Sequence, residues 1–185
     1  PRWPHREVPV GHVTNGVHLD SWTGDALNRL YRRYLSPDLH TRQDDPFVWA
    51  RVEEIPDGEL WEAHTYLKRK MLSVIRERAR ADRMNRATPP EQLLASGIFL
   101  DPDALVIAFA RRFATYKRAG LLFRDTARLK ALIHDPYRPV QIIFAGKAHP
   151  ADDPAKLLLQ QIYNYARDPE FGGRIAFVED YDMHV

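Results

Sequence analysis

Cysteine is absent from this 185-residue chain. That excludes a disulfide framework, a thiolate nucleophile and a Cys-type zinc site, and it leaves the redox compartment open. An excess of charge of one sign is also lacking. Lys plus Arg number 27 against 25 Asp plus Glu, a formal net charge of +2, so wholesale binding to nucleic acid is not expected. No apolar run approaches the ~20 residues of a membrane span, and no membrane partner is expected. Pro1-Arg2-Trp3-Pro4-His5 offers neither an initiator Met nor the apolar stretch of a signal peptide, so the chain reads as cut from something longer. No G-x-G-x-x-G follows an apolar run, which disfavours a dinucleotide site. The eight His are scattered, and no metal is expected.

What is present has the balance of a soluble globular protein, 44% hydrophobic and 28% charged. The length suits one domain, able to bury roughly two-thirds of its unfolded surface. The basic residues are lopsided, 21 Arg to 6 Lys. Compositional bias accounts for most of them. Some remain available for bidentate recognition of phosphate or carboxylate.

Residues 1–22 are punctuated by Pro, Gly and Asn. A short amphipathic helix is predicted over 25–34, with Leu27, Leu30, Tyr31 and Tyr34 on one side. Residues 37–58 are polar and Pro-broken, with Phe47 and Trp49 expected as buried anchors. The longest helical signal covers 58–84, where Leu60, His64, Leu67, Met71, Val74 and Arg78 recur at helical spacing. Its outer face is basic (Lys68, Arg69, Lys70, Arg76, Arg78, Arg80, Arg83) but interrupted by Glu77 and Asp82, as a solvated face is. After Thr88-Pro89-Pro90 the character changes. Residues 104–110 form a continuous apolar run, the mark of a strand buried on both faces. A helix is predicted over 119–132 with Leu121, Leu122, Leu129 and Leu132 inward, then a strand over 140–145. A helix follows over 154–167, N-capped by Asp153, and Gly172-Gly173 turns the chain into a strand over 174–178. This β-α-β-α-β order predicts an α/β fold: a Rossmann-like parallel sheet covered by helices. The expected division is a loop and helical segment at 1–100 and a partial Rossmann-like, phosphate- and cofactor-binding domain at 101–185.

In such sheets ligands bind beyond the carboxyl ends of the strands. The loop after the first strand holds Arg111, Arg112, Lys117 and Arg118 within eight residues. It is expected to open a helix whose free N–H groups and dipole also favour an anion. Arg forks and a Lys point charge there make a phosphate site; the plain alternative is a solvated basic loop. After the second strand, Gly146-Lys147-Ala148-His149-Pro150 adds a cation at the same edge, and Gly146 permits close backbone approach. It is not a P-loop, since the upstream glycine is missing.

Taken together, Val13-Thr14-Asn15-Gly16-Val17-His18 with Trp22, Arg111-Arg112 with Tyr116-Lys117-Arg118, Gly146-Lys147-Ala148-x-Pro150, and Glu179-Asp180-Tyr181 resemble the α-glucan (glycogen or maltodextrin) phosphorylases, most of all their shorter bacterial branch. The resemblance covers essentially the whole chain. It implies part of the C-terminal domain of a GT-B fold, in a pyridoxal-phosphate-dependent, cytoplasmic glycosyltransferase that forms a homodimer when complete. The implied reaction uses inorganic phosphate to release glucose 1-phosphate from the ends of α-1,4-glucans. By motif position Arg112 and Lys117 would be catalytic, holding the substrate phosphate. Arg111 would face the cofactor phosphate, Trp22 and Tyr181 would line the cofactor pocket, and Asn15 and Lys147 would bind substrate. The chain departs from larger phosphorylases at His18, at Ala114-Thr115 and at Asp182. The family's cofactor lysine belongs to a downstream Glu-Ala-Ser-Gly-Thr-type segment not found here, so the chain alone is expected to be inactive. A nucleotide-sugar GT-B glycosyltransferase (glycogen or starch synthase-like) is the nearest alternative, but its usual Gly-Arg-Leu-x-x-x-Lys-Gly pattern is replaced by Arg-Arg-Phe-Ala-Thr-Tyr-Lys-Arg. A nucleic-acid module using the Arg-rich helix is a third reading, opposed by the interleaved acids.

Overall fold

The computed structural model describes residue 11 and residues 13–85, 89–179 and 181. Pro1–His5, Thr88, Asp180 and Asp182, which enter the reading above, lie outside the described residues. The chain divides into two compact units, residues 1–67 and 68–185, each with its own apolar core.

The first unit holds α1 (Leu19–Trp22), α2 (Asp25–Tyr34), α3 (Pro46–Ala50) and the beginning of α4 (Asp57–Asn85). Ala26 and Leu30 of α2 pack with Leu35, Leu39, Val48, Ile55 and Ala63. The start of α3 is fixed by Asp45, whose carboxylate accepts the Phe47 N–H at 2.9 Å, while Pro46 occupies the first turn where no N–H is needed. The Arg42 guanidinium, then the Phe47 N–H, hold the Asp45 carboxyl below its usual range. Phe47 is not a buried anchor: it is 82% exposed, and its neighbour Val48 is the buried residue. Adjacent residues on a helix point about 100° apart, so only one of the two can face the core. Trp49 is half-buried, edge-on to Tyr31, with its indole N–H donated to the Gln43 carbonyl.

The second unit contains the rest of α4, then α5 (Pro90–Ala95), β1 (Leu105–Ala110), α6 (Thr126–Ile133), β2 (Val140–Ala145), α7 (Asp153–Arg167) and β3 (Ile175–Val178). The strands form one parallel sheet in the order β1-β2-β3. Side chains alternate along a strand, and the two cores divide accordingly. Ile142 and Phe144 of β2 with Ile175 and Phe177 of β3 face α6 and α7 through Leu129, Ile133, Ala155 and Ile162. Ile143, Ala145, Ala176 and Val178 join Leu72 and Ile75 of α4 on the other face. Helices on both faces of a parallel sheet make a Rossmann-like arrangement. Gln141 is fully buried, and its side-chain amide pairs with both the N–H and the carbonyl of Asp101 at 2.7 Å, so the polar group is satisfied rather than orphaned.

Several expectations change. β1 is not buried on both faces: Leu105 and Ile107 are exposed. Among the described residues it pairs only with β2, so it is an edge strand and the helices cover β2 and β3 instead. In α4 the buried residues are Ala63, Leu72, Ile75 and Ala79, while Leu60, His64 and Arg78 are exposed. The stripe is turned by about one residue from the expected one. Residues 119–125 are a 3-10 helix that precedes α6, and this breaks the helical phase on which inward Leu121, Leu122 and Leu132 depended. Leu129 is buried as expected, and Ala119, Phe123 and Ile133 are buried in place of the other three. The cap of α7 is Asp152, accepting the Ala155 N–H at 3.0 Å; Asp153 pairs with Lys156 instead. Gly172 and Gly173 turn at φ 56° and 71°, a conformation that favours glycine.

Candidate functional site

The strand register places the three carboxyl ends level: Ala110 pairs with Ala145, and Ala145 with Val178. The loops after the strands therefore leave one edge of the second unit. They bring Arg111, Arg112 and Lys117 from the first loop, Lys147 from the second and Tyr181 beyond β3 to that edge. Asn15, which is exposed, and Trp22, 63% exposed at the end of α1, belong to the first unit.

The first two loops continue the sheet beyond its strands. The Arg111 N–H donates to the Ala145 carbonyl at 3.1 Å and the Phe113 N–H to the Lys147 carbonyl at 2.9 Å. Phe113 and Ala148 form a parallel bridge. Phe113 is 1% exposed and stacks on Phe177 with ring centroids 5.9 Å apart. This buried ring pins the basic loop, and alternation along extended backbone sends its neighbour Arg112 the other way. The pinning requires Gly146. Its φ is 143°, and a Cβ there would stand 2.1 Å from the Arg111 carbonyl oxygen. The close approach permitted by this glycine is to the neighbouring loop.

Arg111, Arg112 and Arg118 are exposed, and among the described residues their side chains make no hydrogen bond or ion pair. Arg138, Lys156, Arg167 and Arg174, elsewhere in the unit, each meet a carboxylate. The stretch 111–118 contains no acid at all. Lys117 Nζ lies over the Tyr116 ring, 5.8 Å from its centroid. Arg118 holds a left-handed backbone (φ 53°) between two 3-10 turns, a strained conformation of the kind that gathers at functional sites. One expected contribution is missing. The loop does not open an α-helix: α6 begins only at Thr126, where Asp125 already caps the Arg128 N–H. The positive potential of this edge therefore comes from its cations, not from a helix dipole.

A cleft of about 440 Å³ opens between the two loops, with Arg112, Thr115, Tyr116, His149 and Asp152 in its lining. Thr115, Tyr116 and Asp152 received no site role from the sequence: Tyr116 entered only as part of the Tyr116-Lys117-Arg118 motif, Thr115 only as a departure from it, and Asp152 has the local pattern of a turn residue. Tyr181 packs against the Leu72–Ile75 core, half-buried. Near the end of β3, burial and then the charge of Glu179 raise the Tyr163 hydroxyl above its usual range.

No family model matches the chain. Curated proteins do. Over 96% of its length the chain is 50% identical to a glycogen phosphorylase of Aquifex aeolicus. Over 97% it is 42% identical to a maltodextrin phosphorylase of Thermococcus litoralis and 39% identical to a glycogen phosphorylase of Mycobacterium tuberculosis. The chain is similar to a segment of glycogen and maltodextrin phosphorylases. It spans 26%, 21% and 20% of the length of these three relatives. The match runs through both units, so the basic loop, the Gly146 loop and the segment with Asn15 and Trp22 all fall in the shared region. Among the described residues no helix is long and apolar enough to cross a membrane.

Proposed function

We propose that this chain is part of an α-glucan phosphorylase, and that the carboxyl edge of its sheet is the phosphate side of the active site. The observation that supports this most is the acid-free loop 111–118, which carries Arg112 and Lys117 and is pinned to the Gly146-Lys147 loop by the Phe113–Ala148 bridge, in a chain alike over 96–97% of its length to phosphorylases. In the complete protein the Rossmann-like unit belongs to the C-terminal domain of a GT-B fold, with residues 1–100 leading into the cofactor domain at 101–185. The enzyme is cytoplasmic and homodimeric.

Arg112 and Lys117 hold inorganic phosphate as it attacks the terminal glucosyl unit of an α-1,4-glucan, giving glucose 1-phosphate. Fixed cations in a site closed to water stabilise the charge that gathers there without having to reorganise. Arg112 supplies a planar two-pronged donor and Lys117 a point charge. Lys147 adds positive potential from the adjacent loop, and Asn15 bonds the sugar. The donor set also fits a phosphate-bearing cofactor, because Arg111 is a further exposed cation beside Arg112. Arg111 would hold the phosphate of pyridoxal phosphate, with Tyr181 of the same unit lining its pocket. When bound, that cofactor supplies a phosphate group for proton handling.

The test uses the complete polypeptide that carries this segment, given maltodextrin and inorganic phosphate. Glucose 1-phosphate is the expected product. Removing one fixed donor from such a site lowers turnover about 10²–10³-fold, so Arg112→Gln and Lys117→Gln should each lose activity on that scale. Turnover of ADP-glucose with no response to phosphate would overturn the proposal in favour of a nucleotide-sugar glycosyltransferase.

A further inference from the structure

His149 has no part in the function proposed above, yet its ring is held in one orientation beside Arg112. The Ala151 N–H lies 3.1 Å from Nδ1, and the His149 carbonyl accepts the Asp152 N–H at 2.9 Å. Both bonds belong to one turn, residues 149–152. A nitrogen that accepts a backbone N–H carries no proton, so the neutral ring bears its proton on Nε2. The other ring nitrogen is thus a fixed donor on a side chain that lines the cleft between the two loops. Asp152 lines the same cleft, from the same turn. Its Oδ1 caps α7, and its second oxygen has acceptor capacity left.

Donor and acceptor on one turn select the ligand. A phosphate drawn to this end of the cleft would meet the Asp152 carboxylate, and like charges repel. A neutral polyhydroxyl group has both donors and acceptors to offer, and the exposed ring of Tyr116 in the same cleft supplies an apolar face of the kind that sugars stack on. Arg112, in the same lining, serves the anion.

We infer that His149 is a glucan-binding residue: its Nε2–H donates to a hydroxyl of the α-glucan while Arg112 serves the phosphate. This rests on the proposed phosphorylase function, and two substitutions test it in the complete polypeptide. Asparagine places an oxygen where Nδ1 stands, so His149→Asn keeps the turn and loses the donor. Glutamine reaches the Nε2 position with an N–H, so His149→Gln keeps the donor and loses the turn bond. The loss of one neutral hydrogen bond corresponds to about three- to tenfold in affinity. His149→Asn should raise the KM for maltodextrin, and the calorimetric Kd for a maltooligosaccharide, by that factor. The KM for phosphate should move less than about twofold, and His149→Gln should recover most of the loss. If His149→Gln is instead the impaired and thermally weakened variant while His149→Asn binds glucan like the parent, the ring serves only the turn and the inference falls. A shift in phosphate KM alone overturns it as well. Glucan binding that weakens in His149→Asn, in a protein with no phosphorolysis, would support His149 while refuting the phosphorylase function.

Discussion

Replacing Gly146 by alanine tests how the candidate site is built. Two penalties are expected at this one position. The first is backbone strain: φ is 143°, and a side-chain-bearing residue held in such a region pays about 1–3 kcal/mol. The second is collision. The new Cβ would lie 2.1 Å from the Arg111 carbonyl oxygen and 2.9 Å from its carbon, and this obstacle is backbone, with no rotamer to move away. Relief requires the two loops to part. That breaks the Arg111–Ala145 and Phe113–Lys147 hydrogen bonds, at about 1 kcal/mol each. The sum is about 3–5 kcal/mol. For a chain of this size it corresponds to a fall of about 6–20 °C in melting temperature. Thermal unfolding followed by circular dichroism measures the shift, and phosphate titration reads the site. Affinity should fall too, because Arg111 and Arg112 ride on the displaced loop. A Gly146→Ala variant that melts within about 2 °C of the parent would refute the reasoning, since less than 1 kcal/mol would then have been lost.

Other outcomes follow from the same structure. Gln141→Leu should lower unfolding free energy by about 2–3 kcal/mol in urea denaturation, because it strips the partners from both polar groups of Asp101. Ile142→Ala, at a side chain 1% exposed, should cost about 2–5 kcal/mol. Ile107→Ala, at a side chain 44% exposed on β1, should cost no more than about 1.5 kcal/mol; equal losses in the two would deny that β1 is an edge. The N–H groups of Tyr137 and then Arg138 hold the Asp135 carboxyl below its reference of 3.8. A depressed carboxylate stabilises the fold fully above its unfolded pKa and loses that contribution as pH falls below about 3.8 and through the folded pKa. The protection of the Tyr137 amide from exchange, taken relative to the intrinsic rate at each pH, should therefore fall in acid. Asp135→Asn keeps the acceptor oxygen and should flatten this dependence.

Much of the fold could be read along the chain. The boundaries of α2 and β2 agree with the expected ranges, and α7 and β3 differ by a single residue at their starts. In these segments apolar spacing, Pro at a first turn and paired glycines all point the same way. The errors share a cause. Phe47, Leu121, Leu122, Leu132 and the stripe on α4 are apolar residues whose orientation depends on helical phase, and phase is set by what packs opposite. Where two adjacent positions are both apolar, periodicity cannot choose between them. The misjudged burial of β1 is of the same type, since an apolar run does not say how many neighbours a strand has.

By itself the sequence determined the local chemistry: a cysteine-free chain of balanced charge, strand-helix alternation, and an acid-free run of four cations just after a strand. These depend only on which residues are neighbours in the chain. The tertiary structure alone decided what the cations stand beside. Parallel register made three strand ends level, burial of Phe113 pinned the basic loop, and Gly146 let the Arg111 carbonyl close to within reach of the second loop. It also set His149 and Asp152 into the cleft that holds Arg112. Residues that lie 37 or more positions apart in sequence share a cleft only because strand pairing fixes where their loops emerge, and no local pattern encodes that register.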